Sequence, residues 1–445
     1  MWREQHSGFN FHPKCQALGI SHLGFVDDIL LLCRCDMVSV STILQQLRVF
    51  GESSGLVINA AKSSIFFAGV TGDMKQAILN LSQFTEGTFP FKYLGVSLSP
   101  HRLLASQFSP LIQQLEVAIQ SWMGKYLSYA GRLELIKYVL HGIVQFWISI
   151  FPIPAAVISK ITSLCRNFLW TGDVLKSKSA LVAWKQVCLP KDEGGLAILD
   201  IKARNSSFFA KLLWNIHMKS DSLWIQWVDH YYISHASIWS LDAKKTDSPL
   251  WKSIFSLRDR LIDLCGGVAP VQQLLSSWDS GLHSFTASAY DFFRYKAEPV
   301  RWASVIWEQW SLPRHSFSLW LAMLGKLRTR DRLQFLSPDP VCSLCQNADE
   351  SHAHLFFNCD WSSSLWSKAR FWLKIHNNMH QSHLSLTKQQ KRAATENEKS
   401  ITCHTCVFDM GRKKQAHLQQ HCQISGCHLH EISNFVLHYF VFSWK

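Results

Sequence analysis

The stretch His22-Leu23-Gly24-Phe25-Val26-Asp27-Asp28-Ile29-Leu30-Leu31-Leu32-Cys33 sets two adjacent carboxylates between apolar runs. Each run is too short for a helix of its own. The pattern predicts a tight β-hairpin with Asp27 and Asp28 at or beside the turn. Adjacent carboxylates repel, so they are best tolerated where solvent or a cation screens them. Hard oxygen ligands of this kind suit Mg²⁺, and in-line phosphoryl transfer commonly uses two such ions. Taken alone, an Asp pair in a hairpin is more often a solvated turn than a metal site.

The flanking sequence changes that weighting. Phe25-Val26-Asp27-Asp28 resembles the Phe-Ala-Asp-Asp box of LINE-type (non-LTR) retrotransposon reverse transcriptases, with Val26 replacing the usual Ala. Phe11-His12-Pro13-Lys14-Cys15 through Ile20-Ser21-His22-Leu23 is similar to the lead-in of plant members. Ser54-Gly55-Leu56-Val57-Ile58-Asn59-Ala60-Ala61-Lys62-Ser63-Ser64 and Phe91-Lys92-Tyr93-Leu94-Gly95-Val96 match the next two palm motifs, in the right order. The resemblance implies a partial polymerase palm over residues 1–100, with Asp27 and Asp28 as metal-binding carboxylates and Lys62 near the incoming nucleotide, assisting proton transfer. On the residues alone, Lys62 reads equally well as an exposed turn lysine.

Reverse transcriptases also need a metal-binding Asp on an earlier palm strand and a fingers region. The 26 residues before Asp27 supply neither. The expectation is a chain that is catalytically incomplete by itself, with Mg²⁺ bound only where the polymerase site is complete.

With 445 residues, the chain is long enough for two or three domains. An apolar share of 47% and 19 Trp exclude wholesale disorder. The formal charge of +13 favours a polyanionic partner, and RNA and DNA are the expected ones. Nothing at the N-terminus resembles a signal peptide, so an intracellular protein is expected, nuclear or cytoplasmic and not secreted. The 13 Cys then read as thiols and late-clustering metal ligands rather than a disulfide framework. Val139 to Ile158 is apolar, but His141, Gln145, Pro152 and Pro154 interrupt it. It is expected to be a buried helix ending near Pro152, with no membrane partner.

Helical spacing recurs along the chain. Val40 to Glu52 places Ile43, Leu44, Leu47 and Phe50 on one face, and Gly55 is placed to end that helix. Val57-Ile58 and Ile65-Phe66-Phe67 read as short strands. Over residues 101–230, three helices are expected, with faces at Leu111, Leu115, Ala118, Ile119 and Trp122, at Leu133, Ile136, Leu140, Ile143 and Trp147, and at Ile158, Ile161, Leu164 and Phe168. Leu127-Ser128-Tyr129-Ala130-Gly131-Arg132, Phe168-Leu169-Trp170-Thr171-Gly172 and Cys188-Leu189-Pro190-Lys191 to Gly194-Gly195-Leu196 resemble the thumb and post-thumb signatures of the same elements. Lys125, Arg132, Lys137 and Arg166 are candidates for nucleic-acid backbone contacts, with helix-surface solubility as the competing account. Residues 231–285 carry turn signals and read as a connecting segment with some helix, such as Leu250 to Leu264.

Cys342-Ser343-Leu344-Cys345 followed by His354 and Cys359 is the second informative pattern. Three thiolates and one imidazole form a closed tetrahedral set that suits structural Zn²⁺ and leaves no position for a catalytic water. His352 is the alternative imidazole. Val305-Ile306-Trp307, Leu312-Pro313, Ser316 to Ala322, Leu327 to Leu333, Glu350, His354-Leu355-Phe356-Phe357 and Trp366 resemble the zinc-binding domain of plant LINE-type reverse transcriptases, placed here at 286–375. The position of His354 before Leu355 matches that family. Arg328, Arg330 and Arg332 beside the knuckle are the candidates for phosphate contacts.

Residues 376–445 read as a weakly specified tail. Cys403, Cys406, His417 and His421 have finger-like spacing, but the ten-residue interval is short and Cys422 and Cys427 allow rival ligand sets. The overall expectation is an α+β, mainly helical chain, with a truncated palm, a helical thumb-like region and a small zinc-binding helical domain. Its function is then that of a reverse-transcriptase fragment. The alternatives are a non-catalytic nucleic-acid-binding zinc protein, or a decayed element product without selected function.

Overall fold

The computed structural model describes residues 8–372, except 27, 57, 71, 100–102, 174–175, 177–178, 235, 246, 309–310 and 334–338. The hairpin forms where it was expected. Strand β1 (His22–Phe25) pairs antiparallel with β2 (Asp28–Leu31), and Phe25 faces Asp28 in register. That leaves two residues for the reversal. Val26 takes φ 54, a left-handed setting costly for a β-branched residue, at a site open to solvent.

Helix α1 (Met37–Ser54) starts where the Asp36 carboxylate accepts the Ser39 N–H at 2.8 Å. It ends at Gly55, whose φ of 72 only glycine adopts freely. Strands β3 (Ser64–Ile65) and β4 (Thr85–Glu86) pair in parallel around helix α2 (Gly72–Ser82). Strands β5 (Phe91–Tyr93) and β6 (Val96–Leu98) form a further hairpin. Phe66 and Phe67 lie beyond β3, and Phe66 stacks on Phe91 at 4.2 Å instead of continuing the strand. Ile58 is outside any strand, and Val57 lies outside the described residues.

The rest of the described chain is helical, which makes the fold α+β and mainly helical. In order come α3 (Ser109–Trp122), α4 (Tyr129–Leu135), a π-helical turn at Ile136–Leu140, α5 (His141–Ile150), α6 (Ala155–Thr171) and the short α7 (Trp184–Val187). Next follow α8 (Ile201–His217), α9 (Leu223–Val228), α10 (Pro249–Cys265), α11 (Val268–Asp279) and α12 (Phe285–Phe293). The described part closes with α13 (Ala303–Ile306), α14 (Pro313–Met323) and α15 (Asp360–Trp372). Two compact units form, each assembled from three separate stretches of chain.

The first unit comprises Met1–Pro110, Phe146–Val157 and Ile201–Phe293. A hydrophobic cluster in it packs α8, α10, α11 and α12 together, with Phe209, Leu213, Ile254, Leu261, Leu275 and Ala289 buried. Each large apolar side chain buried there stabilises by roughly 1.5–3 kcal/mol. The turn signals within 231–285 are helix caps. Ser248 Oγ accepts the Trp251 N–H at 3.2 Å to start α10, and Gly266 at φ 78 ends it. Asn205 on α8 donates to the carbonyls of Ile148 (2.6 Å) and Phe151 (2.8 Å), and accepts the Ile153 N–H (3.2 Å). The end of α5 and the Pro152 turn are thereby held by one amide.

The second unit comprises Leu111–Gln145, Ile158–Asp200 and Arg294–Lys445. Leu111, Leu115 and Ile119 of α3, and Ile161, Leu164 and Phe168 of α6, are buried as the spacing predicts. Tyr129 stacks on Phe317 of α14 with centroids 5.3 Å apart. Ser128 Oγ caps α4 through the Gly131 N–H. Arg132 donates to the Leu169 carbonyl near the end of α6 (3.3 Å). Gly172 makes room for it, because a Cβ there would lie 2.9 Å from the guanidinium carbon. The continuous Tyr129–Ile150 run is long and apolar enough to cross a membrane by length and composition. Its Leu133, Ile136, Leu140 and Val144 are buried core residues, the ordinary use of such a helix.

Candidate metal centre

The zinc-type pattern is assembled by two local devices in the second unit. The first is a knuckle between the bridged residues Val341 and Asp349. The Cys342 N–H donates to the Ala348 carbonyl (2.7 Å), and the Gln346 N–H donates back to the Cys342 carbonyl (2.9 Å). Gln346 closes the turn at φ 60, and the Leu344 N–H points at Cys342 Sγ from 3.4 Å. Short spacing forces the chain to fold back, which brings the thiols of Cys342 and Cys345 to one side.

The second device is a π-helical turn at His354–Asn358 leading into α15. Ser351 Oγ accepts the His354 N–H (3.1 Å), and the Cys359 N–H donates to the His354 carbonyl (2.8 Å). The Trp366 indole donates to the Phe356 carbonyl (2.7 Å), fixing the turn against α15. His354 and Cys359 then face the knuckle.

The Sγ atoms of Cys342, Cys345 and Cys359 and a ring nitrogen of His354 all lie within 4.8 Å of one another. Cys345 Sγ and His354 Nε2 are 3.3 Å apart. A tetrahedral zinc site needs ligand atoms roughly 3.5–3.8 Å apart, so the donor set fits that ion in number, softness and spread. Cys342 and Cys359 are buried, while Cys345 and His354 are half-buried. Burial pushes the Cys342 thiol up to about 11. Burial also acts upward on Cys345, but hydrogen bonds from the Asn347 backbone and from His354, Cys359 and Cys342 outweigh it and bring it down to about 7. One thiolate therefore forms readily, and a divalent cation would hold the others in their anionic form. Among the described residues this is the one group of three or more His, Cys, Asp or Glu side chains arranged to hold a metal.

His352, the alternative imidazole, is placed elsewhere. Its ring packs on Phe356 at 4.9 Å. The arginines beside the knuckle divide in role. Arg330 donates to the Val341 carbonyl at 2.8 Å and pairs with Asp339 at 3.5 Å. Arg332 donates to the Gly325 carbonyl, and Arg328 is exposed. Lys125 is exposed in the turn after α3, whereas Arg132 is half-buried and braces α6.

The polymerase-type residues are only partly placed. Asp28 opens β2 on an exposed hairpin, and Asp27 lies outside the described residues. Lys62 ends a short 3₁₀ turn capped by Asn59 and is exposed. Among the described residues, no hydrogen bond or ion pair joins Lys62 to Asp28. Cys403, Cys406, His417 and His421 also lie outside the described residues.

Residues 285–366 match a family described as zinc-binding in reverse transcriptase. An Arabidopsis thaliana protein named for ribonuclease H is 32% identical over 181 residues, covering 40% of this chain and 29% of that protein. An uncharacterized mitochondrial protein of the same plant is 29% identical over 114 residues, covering 25% of this chain and 74% of its own length. The chain thus spans less than a third of the first of these relatives. These matches and the Cys₃His cluster together support a reverse-transcriptase-related chain.

Proposed function

We propose that this chain is part of a LINE-type retrotransposon reverse transcriptase, in which a structural Zn²⁺ holds the 286–375 region and the basic surface contacts RNA and DNA. The observation that carries the reading is the gathering of Cys342, Cys345, His354 and Cys359 inside the segment similar to reverse-transcriptase zinc-binding domains. The ion would supply cross-linking, joining the knuckle to the start of α15, and no catalysis. The ordered motifs around Asp28, Lys62 and Tyr93 support a palm-derived origin for residues 1–100. The signatures around Arg132 and Gly172 support a thumb origin for 101–230.

The same reading places the protein inside the cell, in nucleus or cytoplasm, where thiols stay reduced. Polymerisation belongs, on this proposal, to a completed site rather than to this chain acting by itself. Asp28 is exposed on its hairpin, and no described carboxylate joins it to form a two-metal cage. Nucleic-acid affinity is tested by filter binding to RNA and single-stranded DNA from low to high salt. Steep weakening with salt and little sequence preference are expected. No binding at low salt would sink that part of the reading. Primer extension on an RNA template with Mg²⁺ or Mn²⁺ is the second test. Activity lost in the Asp27→Ala, Asp28→Ala double variant would show that this chain polymerises unaided.

A further inference from the structure

Glu350 is fully buried, although a buried carboxylate is costly unless it is well bonded. Its contacts run to three separate segments of the metal region. One carboxylate oxygen accepts the Arg330 N–H (3.1 Å), and the other accepts the Ser343 hydroxyl (3.3 Å). Its own N–H donates to the Pro340 carbonyl (2.7 Å), and its carbonyl accepts the Asp331 N–H (3.2 Å). Ser343 sits between the two knuckle thiols and is itself buried. The residue after Glu350 is Ser351, whose hydroxyl accepts the His354 N–H.

From these contacts we propose that Glu350 is a positioning residue of the metal centre, fixing the Cys342–Cys345 knuckle relative to the His354–Cys359 turn so that four ligands converge before metal arrives. The inference rests on the zinc reading above. The two halves of the ligand set come from different local devices, and neither device determines its distance from the other. Glu350 supplies that registration. Its side chain grips the knuckle at Ser343 and the Arg330 turn. Its backbone grips Pro340 and Asp331, and its chain neighbour holds the start of the His354 turn. Arg330 adds a second brace to the same frame through the Val341 carbonyl. A pre-formed ligand set saves the metal the work of ordering it, and loss of such supporting groups typically weakens metal affinity 10- to 100-fold.

The test compares zinc affinity, by chelator competition on the full chain, among wild type, Glu350→Ala and Glu350→Gln. Ligand identity is followed in parallel through the absorption spectrum of the Co²⁺-loaded proteins. Glu350→Ala is expected to bind zinc about 10- to 100-fold more weakly, with the thiolate-rich Co²⁺ spectrum retained at saturation. Glu350→Gln keeps an acceptor for the Arg330 N–H and a polar partner for Ser343. It is expected to recover most of the affinity. Wild-type affinity in Glu350→Ala, beside a wild type that holds zinc, overturns this inference alone. A wild type that holds no zinc overturns the metal reading and this inference with it. If Glu350→Ala fails to fold even at saturating zinc, Ser343→Ala decides, since it removes one hydroxyl from the knuckle. A several-fold loss of affinity with unchanged near-ultraviolet dichroism supports the positioning role, and wild-type affinity overturns it.

Discussion

Replacing Glu193 by Ala should destabilise the second unit far more than any surface substitution. Arg294 meets Glu193 through two parallel hydrogen bonds of 2.6 and 2.8 Å, and each side chain is only 10% exposed. Glu193 also accepts the Ala297 N–H at 2.9 Å. The same carboxylate thus joins the Cys188–Leu196 loop to the chain that enters the zinc region. Next to it, the Trp320 indole donates to the Gly194 carbonyl (2.9 Å), and Gly195 lies so close to the Leu189 backbone that any Cβ would clash. Removing the carboxylate takes from the buried Arg294 guanidinium its two parallel hydrogen bonds and their ion pair, a loss of about 3–5 kcal/mol where one partner of a buried pair is deleted. Replacing both partners with apolar residues should recover much of that loss, because the buried charge is then removed as well. Urea denaturation followed by Trp fluorescence and far-ultraviolet dichroism measures both variants. A loss below about 1 kcal/mol in Glu193→Ala, the range of exposed pairs, would refute the reasoning.

His141 provides a pH test. It is buried, its Nε2 has no hydrogen-bond partner among the described residues, and burial, followed by the nearby Lys137 charge, lowers its pKa from 6.5 to about 4. The folded imidazole is therefore neutral, and its contribution is complete above the unfolded value and lost as pH falls through the folded one. Between these limits wild type should lose about 3 kcal/mol that His141→Leu does not, read as the difference between their urea midpoints against pH. Parallel curves would contradict this. For nucleic acid, Lys125→Ala and Arg328→Ala should each flatten the salt dependence of binding by about one unit, with folding unchanged. Unchanged slopes in both would remove these residues from the contact surface.

Legibility in the sequence followed the range of the interaction. Spacing within one helix predicted the buried faces of α3 and α6, because periodicity is a local signal. Gly55 was readable as a helix end for the same reason. The Cys₃His cluster was readable because its four members sit within 18 residues of one another and thiol spacing carries its own chemistry. Residues 231–285 read as a connecting segment with some helix, such as Leu250 to Leu264; that helix is α10, and with α11 it also joins a packed core. Asp247-Ser248-Pro249 and Cys265-Gly266-Gly267 are caps, and turn chemistry alone does not distinguish a cap from a linker. Partners distant in sequence had no signal at all. Nothing in the chain announces that Glu193 pairs with Arg294, or that Asn205 holds the turn at Pro152. Glu350 belongs to the family-like sequence pattern, but its burial and contacts follow only from the fold. Charge and position mark Arg330 and Arg332 as candidates for phosphate contacts, and only the fold shows that they also donate to the Val341 and Gly325 carbonyls.

The most direct test is the zinc content of the purified full chain, compared with that of the Cys342→Ser, Cys345→Ser double variant. The account predicts about one tightly held Zn²⁺ per wild-type chain, loss of that ion in the variant, and faster proteolysis within 286–375 once it is gone. Full zinc retention by the double variant, or a wild type without zinc, would contradict it.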